Sequence, residues 1–372
     1  MKRLLHRIFV VVGYLVGFAL LVLLLVLGAA YLRARFFYAP PEPEHLSEKL
    51  AYLEAVPPAA AEAPNFVVVL FDDLGWGDLG SYGNPLIATP RLDALAAEGL
   101  RMTHFYSAAP VCTPSRAALL TGRYPIRSLT HQHVFFAEGH PFGIVRKMMG
   151  LPNDLVRDEV TIAEVLGAAG YATGMVGKWH LGSRPGHLPN DFGFDAYLGV
   201  LWSNDMAPLH LYRDREIELH DERAGSIFRN ADDDDGNGLD QRQLTRRYTE
   251  EAVAFLEANR DRPFFLYMAH TFPHVPHFAS PEQAGRSAGG VYGDVVEDLD
   301  RSTGAILDAL ERLGLAENTV VVVTSDNGAD YNGAPGPIRG RKGETYEGGQ
   351  RVPMIVRWPG RILPGRVDEQ MG

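Results

Sequence analysis

The chain has 372 residues, 46% of them hydrophobic and 22% charged, an ordinary globular composition that excludes a disordered, collagen-like or disulfide-scaffold protein. Its 35 Lys and Arg against 46 Asp and Glu leave a net charge of −11; general nucleic-acid binding needs a basic face and is set aside, while a small local anion site stays open. The single cysteine, Cys112, excludes an intramolecular disulfide and a multi-cysteine metal site, so a hydrophobic core must hold the fold.

At about 150 residues per domain, the length predicts two or three domains or one large α/β domain. The first segment, 1–35, is a membrane-targeting stretch. Ile8 to Leu32 carries no charge over 25 residues, about 37 Å as a helix and enough to cross a ~30 Å hydrocarbon core. Lys2, Arg3 and Arg7 precede it and Arg33 and Arg35 follow, a balance that keeps the N-terminus inside. A cleaved signal peptide is the other reading, with small residues at Gly28-Ala29-Ala30; the run exceeds the usual 7–15 residue signal core, which favours an uncleaved anchor. Either way the remainder of the chain lies outside the cytoplasm, membrane-anchored or exported. Residues 36–64 hold Pro40, Pro41, Pro43, Pro57, Pro58 and Pro64 and read as a stalk, leaving 65–372 as the main domain.

From there strands and helices alternate. Asn65–Phe71 is a continuous β-rich apolar run, as in a buried parallel strand. Thr89–Gly99 is a helix with Pro90 in its first turn and Gly99 at its stop. Val160–Gly170 is another, with Thr161 and Glu164 as a capping-box pair. A strand at Ala172–Val176, a helix at Leu244–Asn259, a strand at Phe264–Ala269, an amphipathic helix at Asp294–Leu313 and a strand at Val320–Thr324 follow. The alternation predicts a layered α/β sandwich with a largely parallel sheet. Asp232 to Asp235 read as an acidic surface turn, because Leu244 falls where a calcium loop needs its closing Glu. The chain stops at Val367–Gly372 with no element to finish on, as a fragment lacking its C-terminal part would.

Ligand sites in open α/β sheets gather at the carboxyl ends of strands. Asp72 and Asp73 follow the first strand, and Asp326 and Asn327 follow Val320–Thr324. Either pair alone reads as a strand-end turn. Together they form a hard-oxygen set suited to Ca²⁺ or Mg²⁺. Cys112 precedes a helix that Pro114 can start and Gly122 can end, a place where negative charge on sulfur is stabilised; a small buried hydrophobe is the alternative.

Cys112-Thr-Pro-Ser-Arg116 with Leu120-Thr-Gly122 resembles the signature of the sulfatase family, and other blocks agree in order: Asp72-Asp73, Gly177-Lys-Trp-His-Leu-Gly182, Pro273-His-Val-Pro276, Ser325-Asp-Asn-Gly328 and Gly340–Gly349. Coverage runs from about Asn65 to Gly360, with the arylsulfatase A and N-acetylgalactosamine-6-sulfatase branch most alike. The resemblance implies an alkaline-phosphatase-like three-layer α/β/α sandwich, followed in the family by a smaller C-terminal domain. It implies that Cys112 is oxidised to formylglycine by a formylglycine-generating enzyme, and that the aldehyde hydrate is the nucleophile. It implies one divalent cation, Ca²⁺ in preference to Mg²⁺, on Asp72, Asp73, Asp326, Asn327 and modified residue 112. Arg116, Lys178, His180, His274 and Lys342 match the catalytic and sulfate-binding set; Lys178, His274 and Lys342 would contact substrate, as would Ser203.

The implied substrate is an aryl or carbohydrate sulfate. One hydroxyl of the hydrate attacks sulfur with Asp326 as proton acceptor, His274 together with Lys342 protonates the leaving oxygen, and His180 takes the second hydroxyl's proton as sulfate departs. His270 and His277 flank His274 and read as structural or surface residues. Two competing readings remain: a phosphoester or phosphonate monoester hydrolase of the same superfamily, and an unmodified, non-catalytic cell-surface binding protein.

Overall fold

In the computed structural model, ten strands among the described residues form one sheet. The residues described are 2–37, 43–60, 62–137, 140–206, 208–220 and 239–372; the acidic turn at Asp232 to Asp235 lies outside them. The strands are β1 (Asn65–Phe71), β2 (Leu100–Tyr106), β3 (Ala172–Lys178), β4 (Ala196–Val200), β5 (Leu211–Arg213), β6 (Glu216–Leu219), β7 (Phe264–Ala269), β8 (Thr319–Ser325), β9 (Arg351–Arg357) and β10 (Arg366–Met371), and they lie in the order β10-β2-β9-β8-β1-β7-β3-β4-β5-β6. The helices are α1 (Lys2–Phe36), α2 (Leu46–Glu54), α3 (Pro90–Glu98), α4 (Cys112–Thr121), α5 (Pro141–Met148), α6 (Ile162–Ala168), α7 (Leu244–Ala258), α8 (Gly290–Arg312) and α9 (Glu347–Gln350).

The centre of the sheet is parallel. β1 pairs with β7 and β8, and β3 with β7 and β4, in one direction; β9 runs antiparallel between β2 and β8. Period-2 alternation divides the core in two. Val67, Val69 and Phe71 of β1, with Phe264, Leu266 and Met268 of β7, meet Leu92 and Leu95 of α3, Leu244 and Leu256 of α7 and Leu299 of α8. Leu70, Phe265 and Tyr267 point the other way, against Ala117 and Leu120 of α4 and Ala163 of α6. The result is helix, sheet and helix in three layers, each fully buried Leu or Phe contributing about 1.5–3 kcal/mol. Thr161 caps α6 as expected: its hydroxyl accepts from the Glu164 N–H at 3.1 Å, and the Glu164 carboxylate accepts from the Thr161 N–H at 3.0 Å.

Three expectations need correction. Residues 366–371 form an edge strand that pairs with β2; its sequence, RVDEQM, hides this because an exposed edge lacks apolar alternation. The long helix starts at Gly290 rather than Asp294. Asp294 instead uses its carboxylate to accept the N–H groups of Gly285, Arg286 and Ser287 in the preceding loop. The stalk is also partly helical. α2 inserts the buried Lys49 into the body, where its ammonium donates to the carbonyls of Arg157 (2.9 Å) and Glu159 (2.7 Å) and pairs with Glu164 at 2.6 Å.

Candidate functional site

The carboxyl ends of β1, β3 and β8 meet at one place. β1 and β8 are in register through Phe71 and Ser325, so Asp72-Asp73 and Asp326-Asn327 leave the sheet side by side. The Asp73 N–H donates to Asp326 Oδ1 at 3.2 Å, and Asn327 Nδ2 donates to Asp73 Oδ1 at 2.7 Å. β3 delivers Lys178 to the same spot. It comes close because Gly177 sits at φ +105°, where an added Cβ would lie 1.8 Å from the Ala269 carbonyl oxygen.

α4 supplies the next two groups. Cys112 is its first residue and Arg116 lies four on, so both project from one helix face. The Cys112 thiol donates to Asp72 Oδ1 at 3.4 Å. Arg116 is fully buried and donates from Nε to Asp326 Oδ2 at 2.8 Å and from Nη1 to the Lys178 carbonyl at 2.7 Å.

The remaining side chains arrive on connections. The Lys178 ammonium, 2.5 Å from Asp72 Oδ2, also donates to Ser203 Oγ at 3.0 Å. Ser203 Oγ lies 3.1 Å from His274 Nε2. His274 Nδ1 donates to the Val275 carbonyl at 2.5 Å. Lys342 pairs with Asp73 Oδ2 at 2.7 Å. His180 Nε2 donates to the Phe135 carbonyl at 3.0 Å, which leaves the Nδ1 lone pair buried and without a hydrogen-bond partner. Thus the structure brings Asp72, Asp73, Cys112, Arg116, Lys178, His180, Ser203, His274, Asp326, Asn327 and Lys342 together. His270 and His277 stay apart: His270 is fully buried and stacks on Phe71 at 5.6 Å, and His277 sits edge-on to Tyr292 at 5.4 Å.

Charge and burial set the protonation of these groups. Burial alone would raise the Asp72 pKa, but Lys178 and Arg116 outweigh it and hold the carboxyl well below the usual range. Burial and the neighbouring Asp72 charge push Asp326 up to about 7, against the pull of Arg116. Burial, then the charges of Asp326 and Asp72, push the Cys112 thiol well above its ordinary value. That corrects the expectation of a stabilised thiolate: the two carboxylates and the loss of solvent overcome the helix N-terminus. His180 is pushed well below the ordinary histidine value, first by burial and then by Lys178 and Arg116, so it is neutral at pH 7.

The oxygens fit a hard cation. One ligand atom each of Asp72, Asp73, Cys112 and Asp326 lies within 4.8 Å of the others. Asn327 Oδ1 is buried with no hydrogen-bond partner, an acceptor that a cation would satisfy. The set is oxygen-rich, as Ca²⁺ and Mg²⁺ require.

Two contributors escaped the sequence. Thr113 accepts the Phe135 N–H at 3.0 Å and donates to the His180 carbonyl at 2.9 Å, tying together the two ends of the His180 hydrogen bond. Its signal lay inside the Cys112–Arg116 string. The Phe135 carbonyl carried none, because a backbone group has no side-chain signature.

Comparison with known proteins agrees with this constellation. Residues 64–372 match the family model described as Sulfatase. The chain is 41% identical to rat (Rattus norvegicus) N-acetylgalactosamine-6-sulfatase over 341 residues, covering 87% of this chain and 62% of the relative. It is likewise 41% identical to human (Homo sapiens) arylsulfatase A, covering 84% and 62%. Among solved structures, the PsFucS1 sulfatase from Pseudoalteromonas sp. superposes with a TM-score of 0.68 at 31% identity, covering 89% of this chain and 69% of that one. The chain therefore spans a little over three-fifths of the length of the curated relatives named here.

Proposed function

Because the chain belongs to the sulfatase family, we propose that it hydrolyses sulfate monoesters, of aryl or carbohydrate alcohols, at the pocket around residue 112. The observation that supports this most is the seat of Cys112: buried against Asp72 and surrounded by Arg116, Lys178 and Lys342, with a thiol that resists ionisation. A thiol so placed is a poor nucleophile as it stands, so the reading requires residue 112 in a modified form. Formylglycine, made from Cys112 by a formylglycine-generating enzyme, supplies in its hydrated form two hydroxyls on one carbon, one to attack sulfur and one to drive sulfate out. Asp72, Asp73, Asp326 and Asn327, with modified residue 112, would hold one divalent cation, Ca²⁺ in preference to Mg²⁺, whose charge helps neutralise the sulfate.

The chain's own residues divide the remaining work. Arg116, Lys178 and Lys342 lower the repulsion between an anionic ester and the carboxylates beneath it. His274 donates through Nδ1 to the Val275 carbonyl, so in its charged form the transferable proton is on Nε2, facing Ser203, and can pass to the leaving oxygen. His180 keeps a free lone pair on Nδ1, suited to accept a proton. Asp326, lifted towards neutral pH, is the second proton acceptor. We read 1–35 as a membrane anchor, 36–64 as a stalk and 65–372 as the catalytic domain, held outside the cytoplasm.

Mass spectrometry of the peptide holding residue 112, paired with assays for released sulfate and phosphate, tests the reading. The expected result is a peptide about 18 Da lighter than the thiol form and release of sulfate. Turnover with an unmodified thiol would overturn the nucleophile assignment. Release of phosphate but no sulfate would favour the phosphoester or phosphonate alternative.

A further inference from the structure

α5 carries an apolar stripe that no described part of the chain covers. Phe142, Val145 and Met149 lie at i, i+3 and i+7, one face of the helix and its C-cap, and are 63%, 47% and 68% exposed. The opposite face is fixed in place. Gly143, Ile144 and Arg146 are buried; the Arg146 guanidinium donates twice to the Pro152 carbonyl and lies over the Phe135 ring at 5.2 Å. The stripe is therefore presented by a rigid mount.

Its neighbour indicates what covers it. α5 packs against α1, whose stretch Phe9–Phe36 is long and apolar enough to cross a membrane. Among the described side chains of α1, the one that is buried is Ala34, in its last turn. Arg33 and Arg35 flank it and are exposed, as at a lipid headgroup boundary. Lys49 fastens the following stalk helix to the body, so the body is held beside the point where α1 leaves the bilayer.

We propose that α5 is a membrane-seated helix: Phe142, Val145 and Met149 enter the interfacial zone of the bilayer that α1 crosses. A short amphipathic element of this kind sits about 5–10 Å into the boundary between headgroups and acyl chains. Phe142 lies tilted against the half-buried Phe136 at 5.6 Å, and the carbonyl of the adjacent, buried Phe135 holds His180. Seating α5 thus sets one wall of the pocket at a fixed height above the lipid.

The inference rests on reading α1 as a membrane anchor, and the test separates the two. The native Cys112 is 1% exposed, so a nitroxide label reaches only an introduced cysteine. The full chain is reconstituted in phosphatidylcholine–phosphatidylglycerol vesicles with single labels at Phe142→Cys, Val145→Cys or Met149→Cys. Leu23→Cys serves as the anchor probe. Asp261→Cys, on a side chain 89% exposed in the turn after α7, serves as the aqueous probe. Power-saturation spectroscopy compares collisions with oxygen, which concentrates in lipid, and with a water-soluble nickel chelate. The expected oxygen-to-nickel ratio on α5 is several-fold above that at residue 261 and below that at residue 23. Water-like α5 labels with a deep Leu23 label would overturn the α5 seat alone. A water-like Leu23 label would overturn the anchor and the seat together. Immobilised α5 labels without oxygen preference would mean a protein partner there, and would also overturn the proposal.

Discussion

The pocket has two walls built by different means. One consists of strand ends: Asp72, Asp73, Lys178, Asp326 and Asn327 leave β1, β3 and β8, and the ladder fixes them to one another. The other is lent by connections: Ser203, His274 and Lys342 reach in from loops, Ser203 to Lys178, Lys342 to Asp73, and His274 to Ser203 with its Nε2 3.8 Å from Asp73. Buried sheet ends tolerate little movement, since each charge there is paired in a dry interior. Loop groups can tighten or release as a substrate enters. On the proposed reading, charge placement belongs mainly to the first wall and proton delivery to the leaving group mainly to the second.

The largest expected effect falls on the residue between the walls. Cys112→Ser should abolish turnover altogether, because a lone hydroxyl attached to sulfate has no geminal partner to expel it. Intact-mass measurement after substrate is added should show the residue sulfated or inert; continued multiple turnover would break the assignment. Next comes the connection wall. General acid catalysis is typically worth ~10²–10⁴-fold, and a nitrophenolate needs little of it. His274→Ala should therefore slow a sugar sulfate by that order and nitrophenyl sulfate far less, read as kcat/KM for each. Equal losses would leave His274 a binding residue only.

The two lysines compare the walls directly. Lys178 is fully buried and pairs with Asp72, while the Lys342 side chain is 22% exposed and pairs with Asp73. Removing one partner of a buried pair strands the other, at about 3–5 kcal/mol, whereas water can reach the site vacated by Lys342. Lys178→Met should lower stability by about that amount in urea unfolding, and Lys342→Met by about 1 kcal/mol. Both should lose activity. Similar stability losses would mean the two walls are equally rigid.

The same division explains what could be read from sequence. The acidic part of the strand-end wall was legible because Asn65–Phe71 and Val320–Thr324 are apolar β-rich runs followed by acids, a pattern with a physical cause; Lys178 was singled out only by its likeness to a family block. His274, Lys342 and Ser203 sit on irregular backbone with no period, so only their likeness to family blocks singled them out. The edge strand at Arg366–Met371 and helix α2 were not legible, since their pairing and docking depend on distant partners: β2 for one, and Glu164 with the Arg157 and Glu159 carbonyls for the other. The Phe135 carbonyl shows the limit of side-chain patterns, because a peptide group of any residue type could serve.

An effect on stability alone concerns a histidine of the sheet rather than of the pocket. His270 follows β7, four residues before His274, and neither of its ring nitrogens has a hydrogen-bond partner. Burial pushes its pKa down to about 3, against about 6.5 in an unfolded chain. As pH falls below 6.5, the unfolded state gains a proton that the native state cannot accept until near pH 3. Stability is therefore lost on acidification across that window, by up to about 1.4 kcal/mol per pH unit for this one group. His270→Phe keeps a flat ring against Phe71 and removes the titration. The variant should lie within about 1.5 kcal/mol of the parent at pH 7.5, and gain on it by about 2 kcal/mol between pH 7.5 and 5. Urea unfolding at the two pH values measures both numbers. Parallel pH profiles for parent and variant would show that His270 is hydrated or paired in solution, and that this part of the sheet is less dry than its packing indicates.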